Sequence, residues 1–277
     1  MRSVSSEIYD KYYYLNSCFG FEEFKNSNGK MVHPKIKYFV DLMNIKQGIR
    51  ILDLGCGRGD LAMEAARRDA NVIGIDYSKD AIEITNEMVR KPGNRKLKNV
   101  KFLQMDAKRL EFHSNSFDLV ISIDVFEHLY KEELEIVMKE IKRVLKPGGK
   151  LIVDTAYNKI YLDYTHRFWA YPLDKLLIQL NKLIANKEYP SLPKNPRNDL
   201  HKKQHVNEPT YFYLKSLFQR HSFYGKIISI VPLKPALSWK DRVYNFSVSL
   251  YPISNFFPLH LLFAHEYLCI MQNKKNK

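Results

Sequence analysis

Two kinds of apolar pattern alternate along residues 50 to 155. Short apolar runs occur at Ile51 to Leu54, Val72 to Ile75, Val100 to Met105, Phe117 to Ile123 and Lys150 to Thr155. Between them, apolar residues recur at three- and four-residue spacing, as in Leu61 to Ala66, in Ala81, Ile82, Ile84 and Met88, and in Leu134, Val137, Met138, Ile141, Val144 and Leu145. The first kind reads as buried strands and the second as helices with one apolar face. Ser78 supplies an N-cap, Pro92-Gly93 closes the second helix, and Lys146-Pro147-Gly148-Gly149 stops the third. Such a β-α-β-α rhythm predicts an α/β protein, a doubly wound, mostly parallel sheet with helices on both faces. The rhythm returns after Pro209 with a helix carrying Tyr211, Leu214, Leu217 and Phe218. Strand six is then Gly225 to Val231 and strand seven His265 to Gln272, which makes a seven-stranded sheet.

Elsewhere the pattern changes. Residues 1–49 hold an aromatic cluster, Tyr9, Tyr12, Tyr13, Tyr14, Phe19, Phe21 and Phe24, ended by Asn26-Ser27-Asn28-Gly29. A helix follows, opened by Pro34 with Ile36, Phe39, Val40 and Met43 on one face. Residues 156–209 bring Tyr157, Tyr161, Tyr164, Phe168, Trp169 and Tyr171, an amphipathic stretch from Leu173 to Ile184, a loop with Pro190, Pro193 and Pro196, and the basic run His201 to His205. A second insertion at 232–264 is uncharged from Val243 to His265 but broken by Pro252 and Pro258, a pattern that argues against a membrane-spanning helix. The expected organisation is therefore a lid segment at 1–49, a core at 50–155, a cap insertion at 156–209, and a C-terminal part of the sheet at 210–277 that contains the second insertion.

Composition changes this picture in three respects. The 45% apolar fraction is that of a globular protein. Three cysteines with no C-x-x-C pair, and an N-terminus without an apolar signal core, point to a reducing cytoplasm rather than a disulfide or zinc scaffold. The net charge of +14 is unevenly spread: residues 151 to 277 carry 18 Lys and Arg against 8 Asp and Glu, a balance of +10. Basic surfaces of this kind attract anionic lipid, nucleic acid or acidic substrates.

The chemistry concentrates where the first strand ends. There the sequence Asp53-Leu54-Gly55-Cys56-Gly57-Arg58-Gly59-Asp60 places three glycines at alternate positions between a strand and a helix. A turn in that place can offer N–H groups to a nucleotide-like ligand. It is neither a G-x-G-x-x-G loop nor a P-loop, because no Lys-Ser/Thr pair follows. An acid followed by G-x-G-x-G resembles the first motif of the class I S-adenosylmethionine-dependent methyltransferases. Further motifs of that family follow in order: Asp76 at the end of strand two, Asp106-Ala107 after strand three, and strand–Glu127-His128-Leu129–helix–Lys-Pro-Gly-Gly–strand, a likeness to the small-molecule, type-11-like branch.

The resemblance implies a Rossmann-like fold, S-adenosylmethionine as cofactor with S-adenosylhomocysteine as product, and cofactor contacts at Asp53, Gly55, Cys56, Gly57, Gly59, Asp76, Tyr77, Asp106, Ala107 and Ile123. In this reading Asp76 accepts from the ribose hydroxyls, Tyr77 lies on the adenine, and Asp106 with the Ala107 N–H meets its edge. It also implies that the aromatic segment with Tyr12 to Tyr14 folds over the cofactor and that the insertions build the acceptor cap. His128, just past strand four, is the expected catalytic base. Asp124, Glu127 and His128 resemble the acid-x-x-Glu-His set with which ubiquinone-pathway O-methyltransferases hold a divalent cation; Asp stands where that family has Glu, and no metal is assigned. The expected function is methyl transfer to a hydroxyl of a small-molecule, lipid- or sugar-linked acceptor, with peripheral contact to anionic membrane. An RNA methyltransferase using the basic half and a non-catalytic cofactor-binding scaffold are the alternatives; no Asn/Asp-Pro-Pro-Tyr motif or RNA-binding module supports the first, and the intact loop and acids oppose the second.

Overall fold

The computed structural model describes residues 2–27, 32–91, 97–185, 194–231 and 239–274. The expected turn and loop residues Asn28-Gly29, Pro92-Gly93, Pro190 and Pro193, and the start of the second insertion at Pro232, lie outside them. Seven strands, β1 Arg50–Leu54, β2 Asn71–Asp76, β3 Val100–Gln104, β4 Phe117–Ile123, β5 Leu145–Ala156, β6 Phe223–Ile230 and β7 Glu266–Asn273, form one sheet in the order β3-β2-β1-β4-β5-β7-β6. The pairs from β3 to β5 are parallel, whereas β7 runs antiparallel between β5 and β6. The sheet is thus mostly parallel with one reversed strand.

The helices are α1 Lys11–Asn16, α2 Phe21–Ser27, α3 Pro34–Leu42, α4 Asp60–Arg67, α5 Lys79–Arg90, α6 Lys131–Val144, α7 Tyr171–Ala185, α8 Asp199–Gln204, α9 Tyr211–Arg220, α10 Trp239–Ser249 and α11 Leu259–Phe263. Successive strand residues point to opposite faces, so Ile51 packs with α3, α4 and α5 on one face while Leu52 and Leu54 pack with α6 and α9 on the other. Five residues of the α6 stripe, Leu134, Val137, Met138, Ile141 and Val144, lose all solvent contact. At roughly 1.5–3 kcal/mol for each fully buried aliphatic side chain, that face fixes the helix to the sheet.

Lys146-Pro147-Gly148-Gly149 ends α6 as expected but stays within the sheet. β4 shifts register between Phe117, opposite Leu145, and Leu119, opposite Lys150, and the turn is absorbed as a bulge, so β5 starts five residues before the expected Lys150. Gly149 suits that bulge, since a Cβ there would stand 2.9 Å from the Lys146 carbonyl oxygen.

The two insertions pack on each other. The wide helical turn at Tyr161–Ala170, which runs into α7, contacts α10 and α11. The Thr165 hydroxyl donates to the Leu262 carbonyl (2.7 Å), and the Trp169 indole to Ser247 (3.0 Å). Asn158, fully buried at the end of β5, donates to the Leu261 and Ala264 carbonyls. Backbone carbonyls that would otherwise be buried unpaired are satisfied this way. No described helix is long and apolar enough to cross a membrane.

Candidate functional site

A cavity of about 230 Å³ opens at the carboxyl ends of β1, β2 and β4. An open α/β sheet collects ligands at this place, because the helices that follow neighbouring strands diverge to opposite faces. Of the ten expected cofactor contacts, nine line it: Asp53, Gly55, Cys56, Gly57, Asp76, Tyr77, Asp106, Ala107 and Ile123. Gly59 does not. It caps α4 at φ +75°, where a Cβ would lie 2.6 Å from the Phe102 ring, so its need for glycine is met by packing rather than by a ligand. Gly55 is comparable, at φ +76° with a Cβ position 2.4 Å from a Val125 methyl.

The loop N–H groups are not free, contrary to the simplest reading of the glycine turn. Gly55 and Cys56 both donate to the Ile75 carbonyl (2.8 and 2.9 Å), Gly59 donates to Cys56, and Gly57 donates to Asp76 Oδ2 (3.0 Å). The loop's own hydrogen bonds therefore brace it as a wall of the cavity. Asp76 Oδ1 is held by the Ser78 N–H (2.9 Å), and Ser78 caps α5 through the Ala81 N–H. The Tyr14 hydroxyl and the Tyr77 N–H also act on this acid, so a ribose hydroxyl that donates to it would do so in place of Tyr14.

Asp53 is nearly fully buried, and its Oδ2 has no partner among the described residues. Burial, then the negative charges of Asp76 and Asp60, pushes its carboxyl up to about 7. A cation placed there would restore the charged form, which matches the ammonium and sulfonium of S-adenosylmethionine. Asp106 is half exposed and tied to the Lys108 N–H at 2.9 Å.

The N-terminal segment closes the cavity. Val4, Tyr9, Tyr13, Tyr14 and Phe19 line it, while Tyr12 is 70% exposed and forms no part of the wall. What holds the segment down is Arg58, from within the glycine loop. Its guanidinium donates to the Tyr14 carbonyl (2.8 Å) and the Phe19 carbonyl (2.7 Å), pairs with Asp60 at 2.8 Å, and lies over the Phe24 ring. The Ser78 hydroxyl reaches the Tyr9 carbonyl at 2.6 Å. The sequence reading had no role for Arg58; an arginine between two required glycines was the only available sign.

His128 also lines the cavity. Its Nδ1 is 2.8 Å from the Tyr9 hydroxyl and 3.2 Å from the Gln204 carbonyl. Burial, the dominant cause, and the nearby His201 lower its pKa to about 4, so the ring is neutral over the physiological range. Beyond it lie His205, with ring centres 4.8 Å from His128, then Tyr157, His201 and His265. Glu127 is 1% exposed and accepts from the Thr155 hydroxyl at 2.9 Å.

Asp124, at φ +52°, belongs to another group: Lys35 bridges Asp154 (2.7 Å) and Glu266 (2.8 Å), and its charge also acts on Asp124. The three carboxyls raise the Lys35 pKa against the opposing effect of its burial. The described residues whose donor atoms converge are instead Glu127, His128 and His205. His205 was passed over in the sequence as part of a basic run, although His201-x-x-x-His205 spaces two imidazoles one helical turn apart.

Comparison with known proteins bears on this site directly. A family described as "Methyltransferase domain" matches residues 45–208, more than half of the chain. The demethylmenaquinone methyltransferase of Oceanobacillus iheyensis is 29% identical over 206 residues, covering 73% of this chain and 81% of that enzyme. The sterol 24-C-methyltransferase of Aspergillus fumigatus is 40% identical over 114 residues, 40% of this chain but only 29% of the larger enzyme. Among solved structures, a SAM-dependent methyltransferase from Methanosarcina mazei superposes with a TM-score of 0.55 at 20% identity, over 88% of this chain and 99% of that one, a likeness of fold.

Proposed function

The chain belongs to the class I S-adenosylmethionine-dependent methyltransferases, and from that premise we propose that it methylates a hydroxyl oxygen on a lipid-linked small acceptor at a membrane surface. When bound, S-adenosylmethionine supplies an already activated methyl group. The protein's own task is then alignment and proton removal. Asp53 and Asp76 hold the cofactor's charged and ribose ends, and the segment pinned by Arg58 keeps water out. His128 receives the acceptor's hydroxyl. Transfer would break the sulfonium S–CH3 bond as the C–O bond forms, which makes the hydroxyl proton strongly acidic, and even an imidazole of lowered basicity would take it. A neutral ring also avoids placing a second cation beside the sulfonium.

The observation that supports a lipid-linked acceptor is the cap surface. Phe168, Trp169, Phe246, Phe256 and Phe257 are each 40–76% exposed, most of them on elements packed against one another, with Arg167 over the Phe168 ring and Lys175 and Lys182 on α7. Exposed apolar groups in such number mark an interaction surface. Rings of this kind enter a bilayer boundary, and each nearby Lys or Arg adds about 1 kcal/mol of attraction to anionic lipid. The sterol 24-C-methyltransferase and demethylmenaquinone methyltransferase similar to this chain support a lipid-type acceptor, though not the choice of oxygen as the methylated atom.

The test combines liposome sedimentation with labelled cofactor and fractionated extract. Expected are binding to anionic vesicles that weakens with salt and with Phe256→Ser/Phe257→Ser, and label recovered in the lipid fraction as an alkali-stable ether. Label only in water-soluble products, with no sedimentation on any vesicle, would overturn the lipid reading.

A further inference from the structure

We propose that Glu127, His128 and His205 form a binding site for a divalent transition-metal ion of the zinc type, and that open positions on the ion receive the acceptor's oxygen. The inference rests on the reading that the acceptor enters beside His128.

The three residues come from separate parts of the chain. Glu127 and His128 sit on the tight turn after β4, and His205 directly follows α8 in the cap. One donor atom from each lies within 4.8 Å of the other two. An ion with bonds of about 2.1 Å holds tetrahedral ligands about 3.4 Å apart, so side-chain rotation closes the difference.

The backbone is already stitched for this. The Asn207 N–H donates to the Glu127 carbonyl at 3.0 Å and the Asn207 side chain reaches the Phe126 carbonyl, which fixes the His205 segment against the turn. The His205 N–H donates to the His201 carbonyl at 2.7 Å.

Ligand orientation is equally prepared. An imidazole that binds metal usually gives its other nitrogen to a carbonyl or carboxylate, and a ligating carboxylate is itself hydrogen-bonded. His128 Nδ1 lies 2.8 Å from the Tyr9 hydroxyl and 3.2 Å from the Gln204 carbonyl; in the tautomer in which Nδ1–H donates to these oxygens, Nε2 keeps its lone pair for the ion. Glu127 is oriented by the Thr155 hydroxyl and by the Ala156 N–H.

Two features suit an ion. Glu127 is a buried carboxylate with no Lys or Arg in ion-pair distance among the described residues, and such charges are ordinarily paired or metal-bound. His205 Nδ1 is buried with no hydrogen-bond partner among the described residues. Two imidazoles and one carboxylate with positions left open is a donor set that suits Zn²⁺, Fe²⁺ or Co²⁺ better than Mg²⁺. With the ion in place, His128 Nε2 would be a ligand instead of the proton acceptor, and a hydroxyl at an open position would be acidified enough to release its proton to bulk water.

Cobalt(II) is the probe, because its visible absorption reports coordination independently of turnover. Chelator-stripped full-length protein titrated with Co²⁺ should take up one equivalent with a visible band, and Zn²⁺ should displace it. His205→Ala should lose the band and at least tenfold in affinity while keeping S-adenosylhomocysteine binding and melting temperature. Glu127→Gln, which keeps the Thr155 contact, should weaken uptake similarly. Absence of stoichiometric Co²⁺ in the wild-type protein, or an unchanged titration in His205→Ala, would overturn the site. Because cofactor binding and methyl transfer by stripped enzyme are measured separately, failure of the metal proposal is distinguishable from failure of the methyl-transfer reading.

Discussion

Replacing Arg58 by methionine removes the guanidinium but retains the length of the side chain, which is 5% exposed beneath the N-terminal segment. The two charge-assisted hydrogen bonds that hold the segment vanish, to the Tyr14 and Phe19 carbonyls at 2.8 and 2.7 Å, together with the ion pair to Asp60 and the contact over Phe24. Hydrogen bonds to charged donors are worth roughly 1.5–3 kcal/mol each, a gross loss of about 3–6 kcal/mol. The freed carbonyls can turn to water, which returns part of it, so a net cost near 2 kcal/mol is a reasonable magnitude. Since Tyr9, Tyr13 and Tyr14 line the cavity from this segment, that cost is expected in ligand affinity, as a weakening of about thirty-fold. Calorimetry with S-adenosylhomocysteine measures it. Hydrogen exchange at residues 9–19 should rise in the ligand-free variant while the β1–β4 amides stay protected. Unchanged affinity together with unchanged protection of the segment would show that Arg58 does not hold the lid.

The remaining predictions concern the two carboxylates. Asp76→Ala removes the expected ribose acceptor and the partner of the Gly57 and Ser78 N–H groups; affinity should fall at least about tenfold, and an unchanged Kd in a folded variant would refute the assignment. Asp53, raised to about 7, should link cofactor binding to pH. Its folded pKa lies above the ordinary carboxylate value, so in the free protein its contribution to stability is present below pH about 4 and is lost as pH rises through about 7. A cationic ligand prefers the ionised form, so affinity should increase from pH 6 to 8 with release of a proton, seen as buffer-dependent binding enthalpy. Asp53→Asn should flatten that dependence.

The sequence by itself determined the elements and much of the cofactor wall. Strand runs and helix stripes are local signals, and the acids at strand ends are legible because a parallel sheet sends each strand's last residue to the same edge. Hence Asp53, Asp76 and Asp106 could be placed with no structure. The glycine spacing was equally legible, but its physical meaning was not: whether Gly59 meets a ligand or the Phe102 ring depends on β3, far along the chain. Long-range pairing decided the rest. That β7 lies antiparallel between β5 and β6 is settled by its pairing with both strands, not by its apolar run. Tyr12 faces water and Tyr14 the cavity because Arg58 grips the backbone of the lid. His205 reaches Glu127 and His128 only because Asn207 hooks the cap onto the turn after β4, a bond between residues eighty positions apart that no local pattern encodes.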